Sequence, residues 1–294
     1  MQPGLPATPT ADLDAPMQRL RALLRDMRSV LVCYSGGVDS AFVLAVAHQE
    51  LGPRAIGMTA ISPSLATYEK EAAIALAARI GARHELVDSN ELDDPAYQAN
   101  DVDRCFHCKS ELYRIAAKKR AEWGSAYVLN GTNQDDLGDY RPGLEAARNA
   151  DVRSPLIEAG FDKALVRHHA AAIGLSVWDK PASACLSSRI PFGTSVTRER
   201  LAQIGGLEAE LHALGLRQVR VRWHALASTK GTADGALARV EVAKDELTAA
   251  FEKRNEIVSA GKRFGFAYVT LDLQGYRTGS HNEVLVGRSL RIVS

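Results

Sequence analysis

The segment with the clearest chemical signature is a short loop that runs Ser35-Gly36-Gly37-Val38-Asp39-Ser40. Two adjacent glycines allow a tight turn in which successive N–H groups point into one concavity that suits phosphate oxygens. The serine hydroxyls can donate to the same anion, and the carboxylate of Asp39 suits a Mg²⁺ ion that bridges it to phosphates. The Gly-Lys-Ser/Thr ending of a Walker A loop is absent, which argues against γ-phosphate transfer. The loop predicts a nucleotide phosphate site, and a plain glycine-rich turn is the alternative.

A second polar segment, residues 131–143, follows a predicted strand and so lies at the carboxyl edge of the sheet, where nucleotides bind. The residues expected to contact the nucleotide there are Gly131, Thr132, Asn133 and Arg141. Met58 and Thr59, at the end of another predicted strand, are expected to border the adenine. A solvated loop and an ordinary strand end are the respective alternatives.

Cys185 lies among serines and basic residues in the segment 180–193. Lys180 and Arg189 would stabilise its thiolate, and the small, proline-bounded residues predict an exposed loop. We therefore predict a reactive thiol at Cys185, with a buried free cysteine as the alternative.

Cys105 and Cys108 form a Cys-x-x-Cys pair, and with Cys185 they would make a three-thiolate ligand set for an iron-sulfur cluster with one open iron. Structural zinc completed by His107 or a water, a redox dithiol and coincidence together remain as open as the cluster. Cys33 lies in an apolar predicted strand and is expected to fill the core.

The elements that must position these residues alternate along the chain. Strands are predicted at residues 29–34, 54–60, 83–87 and 126–129. Helices are predicted at residues 14–26, 41–51, 65–80, 106–123 and 162–173. This alternation predicts the α/β class, with a doubly wound parallel sheet covered by helices.

Beyond residue 193 the pattern changes. Helices are predicted at 197–214 and 244–264, and strands at 218–223, 238–242 and 267–271, which together indicate a smaller α+β domain. The predicted domains are a disordered tail (1–13), a nucleotide domain (14–192) and a substrate or oligomerisation domain (193–294). Arg220 and Arg222 share one face of a predicted strand there, where they could fork a phosphate or line a solvated face.

Composition limits the class of protein. The 294 residues are 46% hydrophobic and 24% charged, as in an ordinary globular protein. A formal charge of +1 supplies no global field for binding nucleic acid. Because neither a signal peptide nor an apolar run of about 18 residues is evident, we expect a cytoplasmic protein without membrane contact.

The loop 35–40, at the first strand-to-helix turn, resembles that of the PP-loop ATP pyrophosphatase superfamily, whose members cleave ATP to AMP and pyrophosphate on an adenine nucleotide alpha hydrolase-like fold. Together with segments 131–143 and 180–193, it resembles the LarE family over most of the chain. These are sulfurtransferases that act on pyridinium-3,5-biscarboxylic acid mononucleotide in synthesis of the nickel-pincer nucleotide of lactate racemase. The resemblance implies ATP and Mg²⁺ as cofactors, adenylation of a substrate carboxylate and its conversion to a thiocarboxylate.

The resemblance also implies roles for individual residues. Cys185 matches the sulfur donor, which in the sacrificial version of the reaction is left as dehydroalanine. Relatives with three cysteines could instead use a [4Fe-4S] cluster on Cys105, Cys108 and Cys185. Arg220 and Arg222 match a pair that binds the phosphate of the substrate, and Ser188 and Arg189 are also expected to contact the substrate.

Partners follow from the same resemblance. We expect a homo-oligomer with a small nucleotide substrate, transient contact with other enzymes of nickel-pincer biosynthesis and no nucleic-acid partner. The alternatives are a tRNA-thiolating PP-loop enzyme and a non-catalytic sulfur carrier that binds nucleotides.

Overall fold

The computed structural model describes residues 10–138, 142–181, 183–226 and 235–277. The chain folds as two compact units. Unit 1 comprises Met1–Ser62, Tyr68–Asp94 and Asp103–Ser183, and unit 2 comprises Pro63–Thr67, Pro95–Val102 and Ala184–Ser294. Two short segments from the first third of the chain therefore belong with the C-terminal part.

Seven strands and eleven α-helices are assigned within the described residues. The strands are β1 (Val30–Cys33), β2 (Ala55–Ile61), β3 (Arg83–Asp88), β4 (Tyr127–Leu129), β5 (Val219–Ala225), β6 (Ala236–Val242) and β7 (Phe266–Leu271). The helices are α1 (Thr10–Met27), α2 (Val38–Leu51), α3 (Thr67–Ile80), α4 (Pro95–Ala99), α5 (Arg104–Trp123), α6 (Pro142–Asn149), α7 (Pro155–Ala159), α8 (Lys163–Ala172), α9 (Arg198–Ala213), α10 (Leu247–Glu252) and α11 (Arg254–Arg263). None of these helices combines the length and the hydrophobicity needed to cross a lipid bilayer.

Unit 1 contains a four-stranded sheet in the order β3-β2-β1-β4. Every pairing in it is parallel, and β1 is flanked by β2 and β4. The predicted α/β class with a helix-covered parallel sheet is confirmed. Because β1 and β4 are neighbours, the chain segments that leave their carboxyl ends begin side by side at one edge of the sheet.

Helix α2 anchors the core of unit 1, where it packs against α1 and α8. Phe42 of this helix is fully buried, and its ring lies 5.4 Å from that of Phe161. The helix begins at Val38 rather than at residue 41, so Asp39 and Ser40 belong to its first turn. An acidic residue in the first turn is favourable beside the positive end of the helix dipole.

Unit 2 contains a three-stranded sheet in the order β5-β6-β7, in which β5 and β6 are antiparallel and β6 and β7 are parallel. Helix α9 packs against β5, and α11 packs against α9 and β7. The single helix predicted at 244–264 is wrong, because a 3₁₀ turn at Lys244–Glu246 precedes α10 and the chain leaves helical geometry at Lys253. Neither glycine nor proline marks that break, which explains why the sequence pattern missed it.

Asn100 connects one early segment of unit 2, Pro95–Val102, to the later part of that unit. Its side chain is fully buried and its φ is 59°, a left-handed conformation that asparagine tolerates better than most residues. The amide nitrogen donates to the carbonyl oxygens of Ile190, Pro191 and Thr194 at 3.2, 2.8 and 2.9 Å. The turn that follows residue 189 is therefore held by a side chain from about ninety positions earlier.

Asn100→Asp should destabilise the protein strongly, because a carboxylate would face three carbonyl oxygens with no N–H to offer them. We expect the free energy of unfolding, measured by urea denaturation, to fall by at least about 2 kcal/mol. Asn255→Asp makes the same chemical change at an exposed position in the first turn of α11. That control should change the free energy by less than about 0.5 kcal/mol, and equal effects of the two substitutions would contradict the role given to Asn100.

Candidate functional site

The loop of residues 35–40, between β1 and α2, is called the phosphate-type loop below. Hydrogen bonds of Ser35 and Ser40 hold its two ends together. Ser40 Oγ donates to Gly37 O at 3.2 Å and accepts from Ser35 N at 3.2 Å. Since the single Ser40 proton goes to Gly37, the 3.1 Å contact between the two hydroxyls is one in which Ser35 donates. Gly36 has a φ of 74°, and a Cβ there would lie 2.8 Å from Ala73 Cβ. The loop is thus a preformed turn at the N-terminus of a buried helix, as anion sites of this kind require.

The segment after β4 lies directly on this loop. A Cβ on Gly131 would be 2.7 Å from Ser40 N, so only glycine allows this approach of the two backbones. Asn133 Nδ2 donates to Asp39 Oδ1 at 3.1 Å. Thr132 N donates to Asn130 Oδ1 at 3.1 Å, which fixes the start of the segment. The structure brings Gly131, Asn133 and the loop together, whereas Arg141 lies outside the described residues.

Lys163, which the sequence did not single out, completes this cluster. Its Nζ lies 2.5 Å from Asp39 Oδ2, and its backbone N donates to Asp135 Oδ2 at 3.0 Å. Lys163 is the first residue of α8, directly after the N-cap Asp162. A cation at a helix N-terminus opposes the helix dipole, so it needs a carboxylate partner, and that mismatch was the available sequence signal.

Met58 and Thr59 have structural partners. Met58 is fully buried, and its carbonyl oxygen accepts from Tyr34 N at 2.8 Å. The Thr59 hydroxyl donates to Tyr34 O at 2.7 Å, so at its 2.8 Å contact with His84 Nε2 it must accept. His84 therefore carries its proton on Nε2. A role for either residue at an adenine stays a prediction.

The Cys-x-x-Cys pair lies in the first two turns of α5, where Cys105 is exposed and Cys108 half-buried. His107 lies between two carboxylates, with Nδ1 3.1 Å from Asp94 Oδ2 and Nε2 3.5 Å from Asp103 Oδ2. No three His, Cys, Asp or Glu side chains in the described part of unit 1 are arranged to hold a metal ion. Burial raises the pKa of Cys33 to about 12, against an opposing effect of Lys109, so that thiol stays protonated.

In unit 2, Cys185 is exposed and caps the short 3₁₀ helix Leu186–Arg189. Its carbonyl oxygen accepts three hydrogen bonds, from Ser188 N at 3.0 Å, Ser188 Oγ at 2.8 Å and Arg189 Nη1 at 2.9 Å. Arg189 Nη1 also donates to Ala184 O at 2.5 Å. The predicted exposed thiol is therefore carried by a backbone whose carbonyl groups are tightly held.

Two buried arginine–glutamate pairs hold this backbone. Arg189 is 1% exposed and binds the fully buried Glu208 through Nε at 3.0 Å and Nη2 at 3.1 Å. Arg222 binds the fully buried Glu241 at 3.0 Å and donates to Ser188 O at 3.0 Å. Arg220 donates to Val219 O at 2.8 Å and lies over the Tyr276 ring. The described contacts of all three arginines are structural, and substrate binding by them stays a prediction.

Three buried hydroxyl groups contact one another next to residues 184–189, which are called the cysteine segment below. The sequence analysis did not predict this cluster. Tyr97 OH lies 2.7 Å from Ser64 Oγ and 2.6 Å from Ser187 Oγ, and the two serine oxygens are 3.0 Å apart. Leu186 N also donates to Ser64 O at 2.8 Å. The cluster ties both early segments of unit 2 to the residues that follow Cys185. The sequence shows that these three side chains are polar, but it does not show that they are in contact, because they are far apart along the chain.

Comparison with known proteins finds close relatives along nearly the whole chain. An uncharacterized protein of Synechocystis is 43% identical over 93% of this chain and 99% of its own length. The pyridinium-3,5-bisthiocarboxylic acid mononucleotide synthase of Lactiplantibacillus plantarum is 36% identical over 92% of this chain and 95% of its own length. An uncharacterized protein of Methanocaldococcus jannaschii is 25% identical over 85% of this chain and 92% of its own length. No family model matches the chain.

Gly131→Ala should damage the phosphate-type loop, because the new methyl group would overlap backbone atoms of α2 that cannot rotate away. We expect unfolding in urea to show a loss of roughly 1–3 kcal/mol in the free energy of unfolding. Gly138→Ala is the matched control, since a Cβ there meets open space. If the two variants were equally stable, the close approach at Gly131 would be refuted.

His84 should make the stability of the protein depend on pH. Burial lowers its pKa, against an opposing effect of Glu85. The unfolded chain therefore binds the proton more readily, and stability is lost as the pH falls below the unfolded value of about 6.5. We expect the melting temperature to drop less steeply from pH 7.5 to 5.5 in His84→Gln than in the unmodified protein. His224, whose pKa is also lowered by burial, contributes equally to both, so identical slopes would contradict the prediction.

Proposed function

The chain belongs to the LarE family, and from that premise we propose that it is an ATP-dependent sulfurtransferase that converts a carboxylate of pyridinium-3,5-biscarboxylic acid mononucleotide into a thiocarboxylate. The L. plantarum relative is a pyridinium-3,5-bisthiocarboxylic acid mononucleotide synthase, and this similarity supports the substrate class. The observation that carries the proposal is the exposed Cys185 thiol on a backbone held by buried arginines. A thiol in such a setting is suited to attack an activated carboxyl group.

The first proposed step is adenylation. A carboxylate oxygen of the substrate attacks the α-phosphorus of ATP, the α–β anhydride bond breaks, and pyrophosphate leaves with the electron pair. The loop of residues 35–40 would bind the phosphates through backbone N–H groups at the start of α2. Asp39, a hard oxygen ligand at this loop, fits Mg²⁺, which would withdraw charge from the phosphates when bound.

The second proposed step is sulfur transfer. The Cys185 thiolate attacks the acyl carbon of the adenylate, a thioester forms, and AMP leaves with the electron pair of the broken C–O bond. A base then removes the Cα proton of Cys185, its electron pair forms the Cα=Cβ bond, the Cβ–S bond breaks with its pair on sulfur, and the thiocarboxylate departs to leave dehydroalanine in the chain. In this scheme each protein molecule supplies one sulfur atom.

The alternative sulfur source is a cluster held by Cys105, Cys108 and Cys185. Thiolates are the usual ligands of such clusters, and none of the four cysteines is in a disulfide, so the residues fit in donor type. The chemistry that the cluster would supply is an exchangeable sulfide on an open iron. One experiment separates the two sources.

We expect anaerobically purified protein, given substrate, ATP and Mg²⁺, to release AMP and pyrophosphate and to lose one H₂S from its intact mass. Cys185→Ala should still consume ATP but form no thiocarboxylate, because the attacking sulfur is gone. The control is the double variant Cys105→Ser/Cys108→Ser, which should retain one turnover. Bound iron, an unchanged mass and an inactive double variant would instead favour the cluster, and absence of AMP with the unmodified protein would refute adenylation.

A further inference from the structure

The main-chain carbonyl of Cys185 is an unusual hydrogen-bond acceptor. A carbonyl oxygen has two lone pairs, yet this one accepts from Ser188 N, Ser188 Oγ and Arg189 Nη1, all within 3.0 Å. Only the first of these is the ordinary bond of a 3₁₀ turn. The other two donors are side chains, and one of them is a cation that is almost completely buried.

The donors are fixed in place by further contacts. Arg189 Nη1 donates to Ser188 Oγ at 3.0 Å, which leaves the Ser188 proton for the Cys185 carbonyl. Glu208 holds the opposite edge of the same guanidinium with both carboxylate oxygens, and Glu208 is itself fixed by Val221 N at 2.9 Å. The chain's own contacts therefore hold all three donors on one oxygen, as preorganised stabilisation of charge requires.

Charge on this oxygen arises in only one step of the proposed reaction. Release of the thiocarboxylate from Cys185 is a β-elimination, in which the Cα–H bond breaks and its electron pair moves onto the adjacent carbonyl group. The resulting enolate bears its negative charge on the Cys185 oxygen. Its electrons then form the Cα=Cβ bond, the Cβ–S bond breaks, and the thiocarboxylate leaves with the sulfur electron pair. Because Cys185 is exposed, a solvent base can accept the Cα proton.

We propose that Ser188 and Arg189 form an oxyanion hole for the main chain, which stabilises the enolate of Cys185 and so catalyses its conversion to dehydroalanine. This inference rests on the proposed function of Cys185 as sulfur donor. It assigns the Ser188 hydroxyl and the Arg189 guanidinium to the step after the thioester has formed, in place of the substrate contact that the resemblance implied, and gives them no part in adenylation.

The test follows a single turnover by intact mass, with ATP, Mg²⁺ and pyridinium-3,5-biscarboxylic acid mononucleotide. Ser188→Ala should form AMP and the thioester at the normal rate but should convert the thioester to dehydroalanine about tenfold more slowly, because one of the three donors is lost, so the adduct accumulates. Ser188→Thr keeps the hydroxyl and should restore the rate. Cysteine deuterated at Cα should slow elimination in the unmodified protein and leave AMP formation unchanged.

Ser195→Ala is the matched control. The Ser195 hydroxyl also accepts from an arginine, Arg200 Nη1 at 2.8 Å, in the same unit. This control should eliminate at the unmodified rate. Arg189→Lys, which keeps a cation beside Glu208, is a second test of the step and should also accumulate the thioester.

The outcomes separate this inference from the function on which it rests. Elimination at the unmodified rate in Ser188→Ala, or a defect in that variant confined to AMP formation, would overturn the oxyanion hole while leaving Cys185 as donor. If the unmodified protein forms neither thioester nor dehydroalanine, or turns over repeatedly at constant mass, both the sacrificial scheme and the inference are wrong. The oxyanion hole is supported if the thioester accumulates in Ser188→Ala while Ser195→Ala and Ser188→Thr eliminate at the unmodified rate.

Discussion

The segment that carries Cys185 depends on the buried ion pair between Arg189 and Glu208. Removing one partner of such a pair leaves an uncompensated charge in the interior and typically costs about 3–5 kcal/mol. Each member of the pair makes a further hydrogen bond, because Arg189 also donates to Ala184 O and Glu208 accepts from Val221 N. Charged groups that are fully hydrogen-bonded in this way give a loop one conformation. An exposed thiol can thereby remain accessible while its backbone stays fixed.

Unit 1 uses the same principle with weaker contacts. Asp39 lies where anionic phosphates are expected, and its carboxylate is balanced by Lys163 and Asn133. Both members of the ionic pair are partly exposed, with 32% of the Lys163 side chain and 23% of the Asp39 side chain accessible. Water screens such a pair, so its rearrangement costs far less than breaking the buried pairs of unit 2. The phosphate-type loop can therefore exchange partners, whereas the cysteine segment keeps its own.

Much of this arrangement could be predicted from periodicity. Buried strands followed by helices gave the parallel sheet, and strand adjacency brought residues 131–133 to the loop. Three features could not be predicted: the role of Lys163, the hydroxyl cluster of Tyr97, and the membership of residues 95–102 in unit 2. Each depends on long-range contacts, which produce no periodic pattern in the sequence. Arg189 illustrates the limit best. The small, proline-bounded residues of its segment predicted an exposed loop, whereas Arg189 is buried, and only its pairing with the distant Glu208 explains that burial.

The magnitude expected from the Cys185 carbonyl follows from differential binding. The donors bond the neutral oxygen already, so only the gain on ionisation can accelerate elimination. A bond to a charged group is worth about 1.5–3 kcal/mol and one to a neutral group about 0.5–1.5, a gain of roughly 1–1.5 kcal/mol per donor. The two neutral donors, Ser188 N and Ser188 Oγ, then supply about 2–3 kcal/mol, or roughly two powers of ten in rate, and the Arg189 cation adds its attraction for the new negative charge. Because Arg189 stays paired with Glu208 in both states, little reorganisation opposes this gain, and we expect the contacts that order the loop also to favour loss of its α-proton.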